Sequence, residues 1–216
     1  ADNTAQRFEL IQCDLFVTEA TFGLPVFQHP KPQSEIRRLL ASIATKTDRC
    51  HVIGAYALGK AQRVIKLLRE AGYDAPIYLH GAQDKLSAYY ASQGVHLGDL
   101  RKALDSEKDN FRGHVVIAPP SALRDRWSRR LPDPVVCYAS GWMTIKQRAK
   151  QSGVELPLVI SDHADWNELT ETITATGAQK IWVTHGREDA LVHWCRQRGL
   201  DAEPLYLQGR EEDSSE

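Results

Sequence analysis

The residues best equipped for chemistry gather in two short segments late in the chain, Ser161-Asp162-His163-Ala164-Asp165-Trp166 and Val183-Thr184-His185-Gly186. Each histidine follows an apolar run that reads as a buried strand, Leu156 to Ile160 before the first and Ile181 to Val183 before the second. Each run is followed by a helical pattern. In open α/β folds ligands gather just beyond the carboxyl ends of strands, so both imidazoles would lie on one functional edge. A single histidine beside an apolar strand is more often a surface or capping residue. Two at equivalent strand ends, one flanked by Asp162 and Asp165, favour proton transfer or another site role.

The elements that must position these residues alternate between strand and helix. A strand over Cys13 to Thr18 precedes a Pro-rich connector, Pro25 to Pro32, that reads as a domain crossing. Ser34 is placed to cap a helix with Ile36, Leu39, Leu40 and Ile43 on one face. A strand at His51 to Ile53 leads into a helix over 60–71, with Ala61, Val64, Ile65 and Leu68 inward and Gly72 ending it. Strands follow at Ile77 to Leu79, Val115 to Ala118 and Val135 to Ala139. They are separated by helices at Lys85 to Gln93 and Ala122 to Arg130, and a basic helix follows around Ile145 to Gln151. The pattern closes with strand 158–160, helix 166–176, strand 181–184, helix 188–198 and strand 205–207. Residues 209–216 are polar and acidic and read as a frayed tail. The fold class is α/β with parallel strands in the middle.

At 216 residues and 42% hydrophobic content the chain can bury a sizeable core, as one large domain or two small ones. A net charge of −1 favours neither nucleic acid nor membrane in bulk, so any basic surface must be local. Cys13, Cys50, Cys137 and Cys195 are scattered without zinc-finger or redox spacing, which fits reduced thiols in a cytoplasmic protein. No run of about 18 apolar residues exists to span a bilayer, so no membrane partner is expected. The chain opens on Ala1 rather than methionine, with a strand soon after, which reads as a processed product or part of a longer chain.

Gly54-Ala55-Tyr56-Ala57-Leu58-Gly59-Lys60-Ala61 has the spacing of a phosphate-binding P-loop, with Leu158-Val159-Ile160-Ser161-Asp162 as a Walker-B-like partner. Ala61 stands where that mechanism needs a hydroxyl for magnesium, which places a P-loop phosphotransferase third among the readings. Anion contact by the helix start, with Lys60 and Arg63 nearby and Ser161 beside them, is a weaker expectation.

Thr18-Glu19-Ala20-Thr21-Phe22-Gly23, Tyr56-Ala57-Leu58-Gly59-Lys60-Ala61-Gln62, Ser161-Asp162-His163-Ala164-Asp165 and Val183-Thr184-His185-Gly186 occur in the order seen in β-CASP nucleases. With Ala118-Pro119-Pro120-Ser121-Ala122-Leu123 and Ala139-Ser140-Gly141-Trp142-Met143, the run over 13–207 resembles their bacterial DNA-ligase-associated exonuclease branch. That branch is similar to mRNA 3′-end processing factors. The resemblance implies a partial metallo-β-lactamase (αββα) fold with an inserted β-CASP α/β cap. Residues 1–24 and 153–208 would belong to the lactamase-like part, and 25–152 to the cap.

By position, the resemblance implies that His163 contacts the scissile phosphate and helps protonate the leaving oxygen. Glu19 would hold its ring, and His185 would ligate one of two divalent ions, with zinc ahead of manganese. Asp162 and Asp165 would support His163. The His-x-His-x-Asp-His motif that supplies most ligands in the family is absent from this chain. The chain therefore corresponds to a C-terminal portion, expected to be inactive alone. It is also expected to expose a sheet edge and apolar surface near 13–18 and 158–160. Glu19, His163 and His185 are expected to converge in one cleft.

Between Arg124 and Lys150 lie Arg124, Arg126, Arg129, Arg130, Lys146, Arg148 and Lys150, interleaved with Trp127, Tyr138 and Trp142. That mixture suits a surface that tracks a phosphate backbone and stacks bases, although each residue alone fits a solvated face or a core aromatic better. The function expected is metal-dependent phosphodiester hydrolysis of DNA or RNA by an exonuclease, alongside an ATP-dependent DNA ligase system. A non-catalytic nucleic-acid-binding or partner module derived from such a nuclease is the alternative.

Overall fold

Short strands of three to seven residues, most of them apolar, assemble into two sheets in which every strand pair is parallel. The computed structural model describes residues 4–6 and 8–205, so the tail expected over 209–216 lies outside the described residues. Contacts divide the chain into two units, one built on His29–Asp162 and the other on Glu9–Gln28 with the residues from His163 onward.

The larger unit contains α1 (Pro32–Thr45), β2 (His51–Gly54), α2 (Lys60–Glu70), β3 (Ile77–Leu79), α3 (Gly81–Ser92), β4 (Leu100–Lys102), β5 (Val115–Ala118), β6 (Val135–Ala139), α4 (Lys146–Gln151) and β7 (Leu156–Leu158). Its six strands run in the order β4-β3-β5-β2-β6-β7. β2 and β5 are buried at every position, as central strands covered on both faces must be. On one face Ile36 and Leu39 of α1 and Val64, Ile65 and Leu68 of α2 pack with Ile53, Ile117 and Cys137. Val52, Tyr78, Phe111, Val116 and Leu131 form the core of the other face. The chain leaves β2 towards β3 on one side and later reaches β6 on the other. The carboxyl end of β2 is thus flanked by β5 and β6 at the switch in winding direction, where parallel sheets form crevices.

Two expectations need correction here. The helix expected over Ala122 to Arg130 is two 3₁₀ turns, Pro120–Arg124 and Arg126–Arg130, broken at Asp125. Asp125 is extended and its carboxylate accepts the Arg126 N–H, so it starts a new turn rather than continuing the old one. The chain also leaves this unit later than expected. β7 pairs with β6, and Leu158 and Ile160 are fully buried in the core, so the crossing falls after Asp162 rather than at 153. The apolar exposure expected at 158–160 is therefore absent.

The smaller unit contains β1 (Leu15–Ala20), α5 (Trp166–Thr176), β8 (Lys180–Gly186), α6 (Glu188–Arg196) and β9 (Asp201–Pro204), in the sheet order β1-β8-β9. One face buries Ala20, Ile181, Val183 and Ala202 against Leu169, Ile173, Leu191 and Cys195 of the two helices. On the other face Leu15 and Val17 are exposed, beside Lys180 and Trp182 in register. Among the described residues no strand pairs with the outer edge of β1, so this edge and face match the exposure expected at 13–18.

The four cysteines are free. Burial pushes the Cys195 thiol up to about 11 and the Cys50 thiol up to about 12, and raises that of Cys137 as well, which leaves all three unreactive. No described helix is long and apolar enough to cross a membrane.

Candidate functional site

The carboxyl ends of β1 and β8 are locked together by an irregularity that the backbone explains. Glu19 pairs with Thr184, but Ala20 pairs with Gly186, so His185 is an extra residue on β8. His185 has φ 55, a left-handed conformation uncommon outside glycine and enriched where side chains are aimed for function. Gly186, at φ 118, passes so close to β1 that a Cβ there would stand 2.3 Å from the Ala20 carbonyl oxygen. A Cβ on Gly23 would lie 2.8 Å from that of Ala20. The Ala20 carbonyl accepts N–H bonds from both Gly23 and Arg187, each at 3.0 Å. The two glycines thus let three backbone segments meet and fix the bulge that presents His185.

Glu19 is held in the same knot. Its Oε2 accepts the Thr21 backbone N–H at 2.6 Å, and its Oε1 lies 3.3 Å from Nδ1 of His163. Phe22, fully buried, presents its ring edge-on to the imidazole at 6.1 Å and packs on Phe27 at 5.0 Å. The pair remains accessible, with the His163 side chain 50% and the Glu19 side chain 31% exposed. With Nδ1 turned to the carboxylate, proton exchange with a ligand falls to Nε2. The Thr21 hydroxyl is buried beside this carboxylate and has no hydrogen-bond partner among the described residues. Asp165 serves the helix: it caps α5, accepting the Glu168 N–H while Glu168 accepts its own.

The strand ends of the larger unit use their charges differently. Lys60 is nearly buried, donates to the Ile160 carbonyl at 2.8 Å and pairs with Asp162 at 3.0 Å. Arg63 donates to the Ser161 carbonyl and lies 3.4 Å from Asp162. The amides at the start of α2 are also taken: Gly59 N–H donates to Gln62 Oε1, Lys60 N–H to Leu58 and Ala61 N–H to Tyr56. A P-loop needs these amides and this lysine turned towards a phosphate, so the geometry overturns the P-loop reading. The Lys60 ammonium and Arg63 Nη1, expected to contact an anion, are engaged by these protein acceptors.

The structure therefore brings Glu19 and His163 together and sets His185 in the bulge beside Glu19, all within the smaller unit. Ser161, Asp162, Lys60 and Arg63 form a separate group in the larger one. Among the described residues no three His, Cys, Asp or Glu side chains gather in a way that could hold a metal ion. Thr21, Phe22, Gly23 and Gly186 lie in the segments that carry the resemblance, but the sequence assigns them no role of their own; glycines directly after strand-end segments are the available signal.

Around the larger sheet, the Arg148 guanidinium lies 4.1 Å from the centre of the Trp142 ring, and His80 meets Trp127 edge-on at 4.8 Å. Arg124, Arg126, Arg129, Lys146, Arg148 and Lys150 are exposed. Burial and a hydrogen bond with Tyr56 push the Tyr138 hydroxyl up to about 12.

No family model matches the chain. It is 29% identical over 192 residues to a protein of Opitutus terrae named "Probable DNA ligase", a match that covers 88% of this chain and 18% of that protein. The chain thus spans under a fifth of the length of this relative. Its fold is similar to a crystal structure of a protein of unknown function from Enterococcus faecalis V583, with a TM-score of 0.53 at 10% identity over 92% of this chain and 51% of that one.

Proposed function

We propose that this chain belongs to a β-CASP metallo-β-lactamase-type nuclease and supplies the residue that protonates the leaving oxygen in phosphodiester cleavage. The observation that carries the reading is the Glu19–His163 pair, 3.3 Å apart and pinned by Thr21 at a strand end. Cleavage expels an alkoxide that needs a proton, and an imidazole oriented through Nδ1 delivers one from Nε2. Glu19 sets the tautomer and steadies the imidazolium; Phe22 fixes the plane of the ring. The relation to a DNA-ligase-named protein supports a nucleic-acid substrate, with DNA ahead of RNA. The two divalent ions implied by the resemblance, with His185 as one ligand, find no complete donor set among the described residues, and no step is routed through them.

In a protein that also carries the His-x-His-x-Asp-His segment, His163→Ala is expected to slow cleavage by ~10²–10⁴-fold while nucleic-acid binding persists. An unchanged rate would overturn the role given to His163. The second reading, a binding module without catalysis, is favoured by the exposed basic residues with Trp142 and Trp127, and predicts binding with no cleavage in any metal.

A further inference from the structure

The loop between β2 and α2 is built from the inside. All four carbonyls from Ala55 to Leu58 accept hydrogen bonds: Ala55 from Gln83 Nε2 and Ala57 from Gln62 Nε2, each at 3.0 Å, with Tyr56 and Leu58 bonded by the Ala61 and Lys60 N–H groups. Gln62 and Gln83 are fully buried, and Gln62 is steadied by the Ser87 hydroxyl at 3.0 Å. With its polar backbone turned inward, the loop projects Tyr56 and Leu58 outward, 61% and 68% exposed. An exposed tyrosine is ordinarily free to turn. Here the bonded carbonyls hold the backbone on which the ring stands, and the ring tip lies by the hydroxyl of Tyr138 on β6. A mostly bare aromatic face next to an exposed leucine contributes little to the core. It sits at the carboxyl end of β2, where the sheet changes winding direction. The segments that follow the neighbouring strands β5 and β6 carry Arg124, Arg126 and Arg129 and Lys146, Arg148 and Lys150, all exposed.

We infer that Tyr56, with Leu58 beside it, is a preorganised stacking platform for an unpaired base of single-stranded nucleic acid whose phosphates are drawn by the flanking basic residues. This rests on the nucleic-acid reading proposed above and adds the residue that grips the bases. A ring carried on an already ordered loop loses less freedom on binding, and every base offers a face to stack, so the contact should favour bases without reading sequence.

The test compares binding of the full chain to labelled dodeca-thymidylate and to an abasic deoxyribose-phosphate oligonucleotide of the same length, by fluorescence anisotropy at one fixed salt concentration. Wild type should prefer thymidylate. Tyr56→Ala should weaken thymidylate binding about tenfold, within the range of one base–aromatic stack, and leave abasic binding unchanged. Tyr138→Phe leaves the Tyr56 ring in place and removes the hydroxyl beside its tip, so a smaller loss on thymidylate alone is expected. Leu58→Ser should also act on thymidylate alone, and provides the same reading if Tyr56→Ala does not fold. Equal losses on both oligonucleotides, or no loss, would overturn the platform while leaving the nuclease reading intact. Failure of the wild type to bind either would count against both. Unchanged oligonucleotide binding with loss of a co-purifying protein would place a protein partner on this loop instead.

Discussion

Lys60 and Asp162 lie 3.0 Å apart at the strand ends of the six-stranded sheet, and Glu19 and His163 lie 3.3 Å apart at those of the three-stranded sheet. The two contacts are alike in length and position but opposite in surroundings. Lys60 is sunk to 5% side-chain exposure and also satisfies the Ile160 carbonyl, so its charge serves as mortar between α2 and the segment after β7. Glu19 and His163 share their polar atoms with solvent and owe their geometry to a backbone knot rather than to burial. A pair that holds the fold together cannot also exchange protons with a ligand, and a pair that stays open to ligand contributes little to stability. Parallel sheets offer both uses at their carboxyl ends, and burial selects between them.

Breaking the buried pair should have the largest effect. Lys60→Ala strands Asp162 beside Arg63 alone and leaves the Ile160 carbonyl without its donor; removing one member of a buried pair costs about 3–5 kcal/mol, and the partial exposure of Asp162 points to the lower end. Thermal unfolding followed by circular dichroism, with the six-stranded unit isolated by hydrogen exchange, is the measurement. A change below about 1 kcal/mol would mean that Lys60 is not structural.

Gly186→Ala attacks the knot behind the open pair. The new Cβ would stand 2.3 Å from the Ala20 carbonyl oxygen at φ 118, a conformation and a clash together worth about 2–3 kcal/mol. Amide protection should fall at the ends of β1 and β8 and stay unchanged in the six-stranded sheet. Loss of protection throughout the chain would show that the knot is not local to its own unit.

The difference between the two regions also explains what the sequence revealed. Helical periodicity placed Ile36, Leu39, Ala61, Val64, Ile65 and Leu68 on buried faces because burial follows composition closely in a two-layered helix–sheet core. The motif around His163 announced a strand end with an acid–base residue. Hidden from the sequence was the distinction between Asp162 and His163, adjacent residues that fall in different units with different tasks. The same holds for Lys60, whose P-loop-like spacing reflects a strand–loop–helix junction and not a phosphate site. Spacing records which atoms can meet; only tertiary packing decides whether a charge is consumed by a neighbour. The bulge at His185 was invisible for a related reason, since it arises from the register of β1 against β8 and from no local propensity.

A smaller effect is expected from pH, and it too separates the units. His51, fully buried at the start of β2, hydrogen-bonds the Ser42 hydroxyl at 2.8 Å; burial first, then Lys46 and Arg49, lowers its pKa from 6.5 to about 4, against a weaker pull from Glu155. Because the folded pKa lies below the unfolded one, the unfolded chain binds the proton first as pH falls. Stability is then full above the unfolded value and declines through the window from 6.5 towards 4, by about 2 kcal/mol between pH 7 and pH 5. Glu155, held low at about 2 by hydrogen bonds from Arg49 and Lys46, adds its own loss only below the ordinary carboxylate range. Melting of the six-stranded unit at pH 7 and pH 5 should show the drop, and His51→Gln should flatten it. An equal drop in His51→Gln would assign the effect to other groups.

The smallest stability effect belongs to Glu19→Gln, and it is the sharpest probe of the contrast with Lys60. The amide keeps the size of the side chain, and its carbonyl can still accept the Thr21 N–H, so the knot survives. What disappears is a charge partly screened by solvent beside a half-exposed imidazole, which is worth less than about 0.5 kcal/mol to folding. Yet glutamine can turn its N–H₂ towards Nδ1, which would move the ring proton to Nε2 in the neutral form and leave the imidazolium without its carboxylate. Cleavage by a protein carrying the upstream segment should therefore fall by at least about tenfold while the melting curve stays in place, since orientation and tautomer are what general acid catalysis requires. Affinity distinguishes this from simple damage: binding of uncleaved nucleic acid should persist in both Glu19→Gln and His163→Ala while cleavage falls. Should Glu19→Gln melt as early as Lys60→Ala and keep its full rate, the two pairs would have to exchange roles, and burial would no longer separate structure from chemistry in this chain.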